Sequence, residues 1–178
     1  MKDALKILAA LLAVVPLYAH SGGDPEYVKF PEGYDKTFTQ YATANRANQK
    51  QVAKLYANET ALTSYQQNQQ GASGSVVVME IYNPKIDADG KPVPGDDGIF
   101  EIDALAAVAV MEKRDDWDGD YPAENRAGSW GFAVYNPDGT EKSNDLNCAQ
   151  CHTPLSGQDY LFTYQKLVDF VKMGHVQF

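Results

Sequence analysis

The sequence predicts an α+β domain, a mainly antiparallel β-sheet with flanking helices and a cysteine-bearing helix near the C-terminal end. Three observations predict it. "GSVVVMEIYNP" (74–84) is rich in β-branched residues and bounded by Gly74 and Pro84, as a buried strand is, the second half of "IFEIDALAAVAVMEKR" (99–114) is again strand-like, and "SWGFAVYNPDG" adds a third strand. They follow one another without the intervening helical patterns that a parallel sheet needs. Near the C-terminus, Tyr164, Leu167, Val168 and Val171 recur at i, i+3, i+4 and i+7, which makes one apolar helical stripe.

The chain opens "MKDALKILAALLAVVPLYAHSGG", with Lys2 and Lys6 before an apolar run and small residues around Ala19. That order is a secretory signal, read as residues 1–19, and the run is shorter than the roughly 20 residues needed to cross a bilayer as a helix. Residues 20–178 then form a single domain, exported, with no membrane segment after signal removal and, in a bacterial cell, periplasmic. The formal charge is −9, and losing Lys2, Lys6 and Asp3 leaves the remainder more acidic still. Such a surface repels nucleic acid and anionic lipid.

Residues 24–48 hold two prolines with weak periodicity and read as an extended arm followed by a turn or strand. "QKQVAKLYAN" (49–58) reads as a strand, after which Asn58 caps a helix through "ETALTSYQQNQQ", ended by Gly71 and Gly74. Residues 85–98 form a turn-rich loop, and "NPDG" closes the strand around Trp130. Asn144 or Asp145 is expected to start the cysteine helix and Pro154 to stop it, because a residue before proline avoids helical angles. Gly174 falls where the last helix should end.

The only two cysteines lie in "NDLNCAQCHTPLSG". A structural disulfide uses Cys148 and Cys151 but gives His152 no role. A thioredoxin-like pair belongs at a strand-to-helix junction of a βαβ unit, which this pattern lacks. Structural zinc wants four ligands, whereas the chain adds only His175 and His20. Covalent haem uses every residue: two thiols on one helical turn add to the two porphyrin vinyl groups, and the adjoining histidine becomes the axial iron ligand. One motif implies one haem c.

Function then turns on the sixth iron position. A Met or His there makes an electron carrier, and an open position lets the iron bind a small molecule. Met79, Met111, Met173 and His175 are the internal candidates. Phe100, Trp130, Phe132 and Tyr135 supply enough aromatic surface to line a dry pocket. Glu80, Glu112 and Asp145 are carboxylates of the kind usually solvated or paired, and no catalytic acid is assigned.

The combination of an exported mono-haem chain, "GSVVVMEIY", "VMEKR", "GSWGFAVYNPDG" and a late "CAQCH" followed by "GQDYLFT" resembles the cytochrome P-460 family, which includes the cytochrome c′-beta proteins. The resemblance covers roughly residues 48–165. It implies a largely β fold, often a homodimer, and a five-coordinate haem attached at Cys148 and Cys151 with His152 as proximal ligand. In the hydroxylamine-oxidising members a lysine in a Val-x-Val-Lys-Glu stretch cross-links to the porphyrin, and here Met79 takes that place in "VVVMEI". A thioether cannot form that amine bond, and Lys85 and Lys113 lie elsewhere in the chain. The expectation is a cytochrome whose open iron handles nitric oxide, with hydroxylamine oxidation the less favoured chemistry, a redox protein as partner, and Met79 and Phe132 in the distal wall of the haem pocket. The alternative is an electron-transfer module with a Met or His sixth ligand.

Overall fold

The computed structural model describes residues 23–117, 119 and 121–174. The segment read as a signal, His20 and His175 lie outside them. Five strands form one antiparallel meander in chain order: β1 (Thr39–Asn45), β2 (Val52–Ala57), β3 (Val76–Pro84), β4 (Ile102–Lys113) and β5 (Trp130–Tyr135). The helices are a single turn α1 (Tyr34–Thr37), then α2 (Glu59–Asn68), α3 (Cys148–His152) and α4 (Tyr164–Lys172). The architecture is the α+β one expected. No helix among the described residues is long and apolar enough to cross a membrane.

The period of two along each strand sorts the side chains onto two faces. On the first face the register aligns Ala57, Val77, Met111 and Phe132 across four strands, and beside them Leu55, Met79, Ala109 and Val134. The helices α2 and α4 cover part of this face, burying Leu62, Tyr65, Leu167, Val168 and Val171 against Tyr41, Leu55, Ala57 and Val77. Each such side chain removed from water contributes about 1.5–3 kcal/mol. The α4 stripe is buried as its spacing predicts, except that Tyr164 stays half-exposed.

The second face carries Tyr56, Val78, Val108, Val110, Ala133 and Tyr135, covered by the N-terminal arm with Val28 and by Tyr121. At its centre Glu80 is buried and accepts hydrogen bonds from Tyr34 (3.0 Å), Tyr56 (2.9 Å) and Tyr82 (2.8 Å). Burial, reinforced by this carboxylate, pushes all three phenols above their ordinary value, Tyr82 to about 12. The arm crosses Gly131 so closely that a Cβ there would lie 2.8 Å from Val28 Cγ2.

Several local expectations are refined. Asn58 caps α2 as read, accepting from the Ala61 amide at 2.9 Å, but it also accepts from the Val76 amide at 3.0 Å and donates to the Gly74 carbonyl at 2.9 Å. It therefore ties the helix start to the start of β3. The helix stops before Gly71, because Gln69 takes the left-handed conformation at φ 53°. The cysteine helix is capped by Asn147, whose side chain accepts from the Gln150 amide at 2.9 Å, and not by Asn144 or Asp145. Thr153 keeps helical angles (φ −53°, ψ −39°) despite preceding Pro154. The proline ring sits at the start of a 3₁₀ stretch, Thr153–Gln158, where its missing N–H removes no helical bond. Phe100 lies in the loop after β3, and Tyr135 is on the second face, so neither joins Trp130 and Phe132.

Two outcomes test these contacts. Asn58→Ala removes three hydrogen bonds and should cost about 1–2 kcal/mol, read as a lower urea midpoint with unchanged slope. The raised phenol values mean that Tyr34, Tyr56 and Tyr82 contribute stability below pH 10.0, their unperturbed value, which is lost as pH rises through the folded values. Glu80→Gln should move tyrosinate absorbance to lower pH in an alkaline titration.

Candidate functional site

The "NPDG" turn closes as expected, with Gly139 at φ 81° donating to the Asn136 carbonyl at 3.0 Å. After the turn Glu141 bridges back to Tyr135, and the chain continues to α3. Ala149 is the buried residue of that helix and anchors it to the first face, leaving Cys148 half-buried and Cys151 exposed. Both thiols are free. Burial pushes the Cys148 thiol up to about 11, with the neighbouring Cys151 adding to the rise.

His152 is half-buried, and its ring is fixed from three sides. Nδ1 lies 2.6 Å from the Tyr160 carbonyl oxygen. A carbonyl can only accept, so Nδ1 carries the proton and Nε2 keeps its lone pair. The ring of Phe132 packs at 4.8 Å between centroids and that of Phe162 edge-on at 4.9 Å. Burial lowers the imidazole pKa, partly opposed by the bond to Tyr160. The result is a neutral imidazole with one nitrogen committed and the other available as a donor.

The Tyr160 carbonyl is itself placed by an unusual loop end. Asp159 and Tyr160 both have positive φ, 46° and 62°. Asp159 is buried and forms an ion pair with Lys113 at 2.7 Å through Oδ1. Its Oδ2 accepts from the Tyr65 hydroxyl at 2.6 Å and the Gly71 amide at 2.9 Å. Gly128 lets the Tyr160 ring approach, since a Cβ there would lie 2.5 Å from Tyr160 Cε2.

Next to the imidazole, the first face of the sheet is apolar. Met111 is the register partner of Phe132, and Met79 pairs with Ala109, which pairs with Val134. Met79 is half-buried and joins the cluster under the helices to a smaller one made by Ile81, Ala107 and Val134. Phe162 and Leu146, flanking α3, remain 64% and 55% exposed, although each is a large apolar side chain. Of the other candidates for an iron ligand, Met173 is 70% exposed at the end of α4. Lys85 pairs with Glu101 at 2.9 Å on the surface.

This donor set fits a haem. Two free thiols one helical turn apart, an imidazole with Nε2 available and an adjoining apolar face suit a flat hydrophobic macrocycle. Among the described residues, no three His, Cys, Asp or Glu side chains gather as a metal cage. A groove on another side of α3, lined by Arg126, Gly128, Asn147, Gln150 and Pro154 among others, includes neither thiol nor the imidazole. Of the residues the sequence nominated, Cys148, Cys151 and His152 share α3, Phe132 packs against the His152 ring and so not on the wall opposite it, and Met79 lies two strands away on the same face. Asp159, Tyr160, Phe162 and Lys113 carried no local signal beyond their place in "GQDYLFT" and "VMEKR".

A family model described as Cytochrome P460 matches residues 31–163. A search of curated proteins finds no match.

The two thiols should differ in reactivity. In chain made without haem attachment, iodoacetamide at neutral pH should modify exposed Cys151 at least about tenfold faster than Cys148, because only the thiolate reacts. Peptide mass mapping over time reads the ratio.

Proposed function

The chain belongs to the cytochrome P460 family, and from that premise we propose an exported, single-haem cytochrome whose iron is held by His152 and handles small nitrogen species such as nitric oxide. Family membership makes it a c-type haem protein. The proposal adds that Cys148 and Cys151 form the thioether bonds, that Met79 contacts the macrocycle, and that the protein works in the periplasm. When bound, the haem supplies an iron coordination position and a one-electron couple.

The observation that carries the reading is the commitment of His152 Nδ1 to the Tyr160 carbonyl, which leaves the Nε2 lone pair as the one that would bind the iron. Phe132 and Phe162 restrain the ring plane by contact. The face around Met79 and Met111 offers Ala107, Ala109, Ile81 and Val134, side chains that exclude water and give no hydrogen bond. A small neutral ligand is compatible with such surroundings, whereas a charged one loses its hydration there.

Oxidation of hydroxylamine through a lysine-linked macrocycle is not part of the proposal. Met79 stands on β3 where that lysine would be needed. Lys113 is held by Asp159, and Lys85 is exposed and paired with Glu101. A second reading, an electron carrier with a methionine ligand, draws on one observation: Met111 lies directly across from Phe132, which touches His152.

Mass spectrometry and the ferrous optical spectrum of the protein matured in a haem-attaching host decide between them. The expected result is the mass of one added haem and a high-spin, five-coordinate ferrous spectrum that changes on adding nitric oxide. A low-spin, six-coordinate spectrum that disappears in Met111→Ala establishes the carrier instead. A colourless protein of bare polypeptide mass overturns both.

A further inference from the structure

We propose that Asp159, with Lys113 and Tyr65, is the positioning device of the His152 imidazole, setting the strength of the hydrogen bond that the Tyr160 carbonyl receives from Nδ1. The inference rests on the reading of His152 as iron ligand and goes beyond it by assigning residues that contribute no atom to the haem site.

The geometry begins with the carbonyl. Tyr160 follows Asp159 in the left-handed region, and neither is glycine. Two such residues in succession are held only where surrounding contacts over-determine them. Those contacts converge on the Asp159 carboxylate, which takes Lys113 from β4, the Tyr65 hydroxyl from α2 and the Gly71 amide after α2. Three separate parts of the fold thus fix the backbone immediately before the carbonyl. The amide of Tyr160 is bonded to the Leu155 carbonyl at 2.9 Å, which closes the loop on the 3₁₀ stretch that follows α3.

The chemical consequence follows from the imidazole. A firm acceptor on Nδ1–H pushes electron density into the ring and makes Nε2 a stronger donor. Loosening the carboxylate frees the carbonyl to drift, weakens that bond and makes the iron easier to reduce. The side chains of Asp159, Lys113 and Tyr65 act through Tyr160 and are positioning residues, not catalytic ones.

The test uses the haem-loaded protein and reads the iron–histidine stretching frequency by resonance Raman together with the reduction potential. Asp159→Asn, which keeps shape but removes charge, should lower the frequency and raise the potential. Tyr65→Phe keeps the ion pair and removes one bond of 2.6 Å, so it should shift both in the same sense by less. It decides the matter if Asp159→Asn does not accumulate. Glu80→Gln, a buried change on the opposite face, should move neither. Unchanged frequency and potential in the Asp159 and Tyr65 variants overturn the inference, and so does an equal shift in Glu80→Gln, which would mean general loosening. Failure of the haem reading itself is seen earlier and separately, as a wild-type protein without haem or without a histidine-bound iron signal.

Discussion

One buried carboxylate joins the parts of this molecule that have to agree for His152 to be placed. Asp159 is separated by 94 residues from Tyr65 and by 46 from Lys113, yet it bonds both, and through Gly71 it also fixes the turn leaving α2. Taking a carboxylate and an ammonium out of water is costly and is offset only when their remaining bonding capacity is met. Here Oδ1 and Oδ2 both have donors, and the Lys113 ammonium lies 5.7 Å from the centre of the Trp130 ring. Removing either charged partner from such a pair typically costs about 3–5 kcal/mol, because the other is left buried and alone. The pair therefore makes a poor source of net stability but a strict condition on geometry. A chain that misplaces β4 relative to α2 cannot satisfy it.

The sheet between these elements separates two chemistries by alternation alone. Met79 and Glu80 are neighbours in sequence, but one side chain joins the apolar face beside α3 and the other is surrounded by three phenols on the opposite face. Glu80 has hydroxyl donors where Asp159 has a cation. Three neutral donors can satisfy a carboxylate without a counter-charge, and they fasten α1, β2 and β3 to one another at a single point. The face toward α3 around Met79, Ala109 and Val134 is apolar, and so is suited to an apolar occupant.

Much of this was legible in the sequence where the signal is local. Strand β3 announces itself by a β-branched run between turn residues, Asn58 by its place before a helical segment, and α4 by its stripe. The edge strand β1 was weakly marked because only Tyr41 among its residues is buried, so no alternation develops. The grouping of Trp130, Phe132 and Tyr135 into one pocket failed on parity: the first two are two positions apart and share a face, while Tyr135 is at an odd spacing and lies behind the sheet. In the motif, "CAQCH" nominated Cys148, Cys151 and His152, but not what holds the imidazole. Nothing near Asp159 distinguishes it from a solvated loop aspartate, since its partners come from elements far away along the chain. The cap at Asn147 was hidden for a related reason, as Asn144, Asp145 and Asn147 are chemically near-equivalent and only the fold of the preceding loop selects among them.

The same electrostatic accounting bears on Met79. Two lysines lie on the described strands, Lys54 on β2 and Lys113 on β4, and Lys54 faces the phenol side, over the Tyr82 ring at 5.0 Å. Lys113 is thus the strand lysine on the apolar face, and it is neutralised by Asp159. A second ammonium at position 79 would stand in line with Leu55, Ala109 and Val134, none of which can accept a hydrogen bond or balance a charge. Such a lysine would be tolerable only if it lost its charge, by deprotonation or by bonding covalently to whatever covers the face. A thioether has no such requirement and packs in the gap as it stands. With methionine at this position, the face places no chemical demand on its occupant beyond apolar contact.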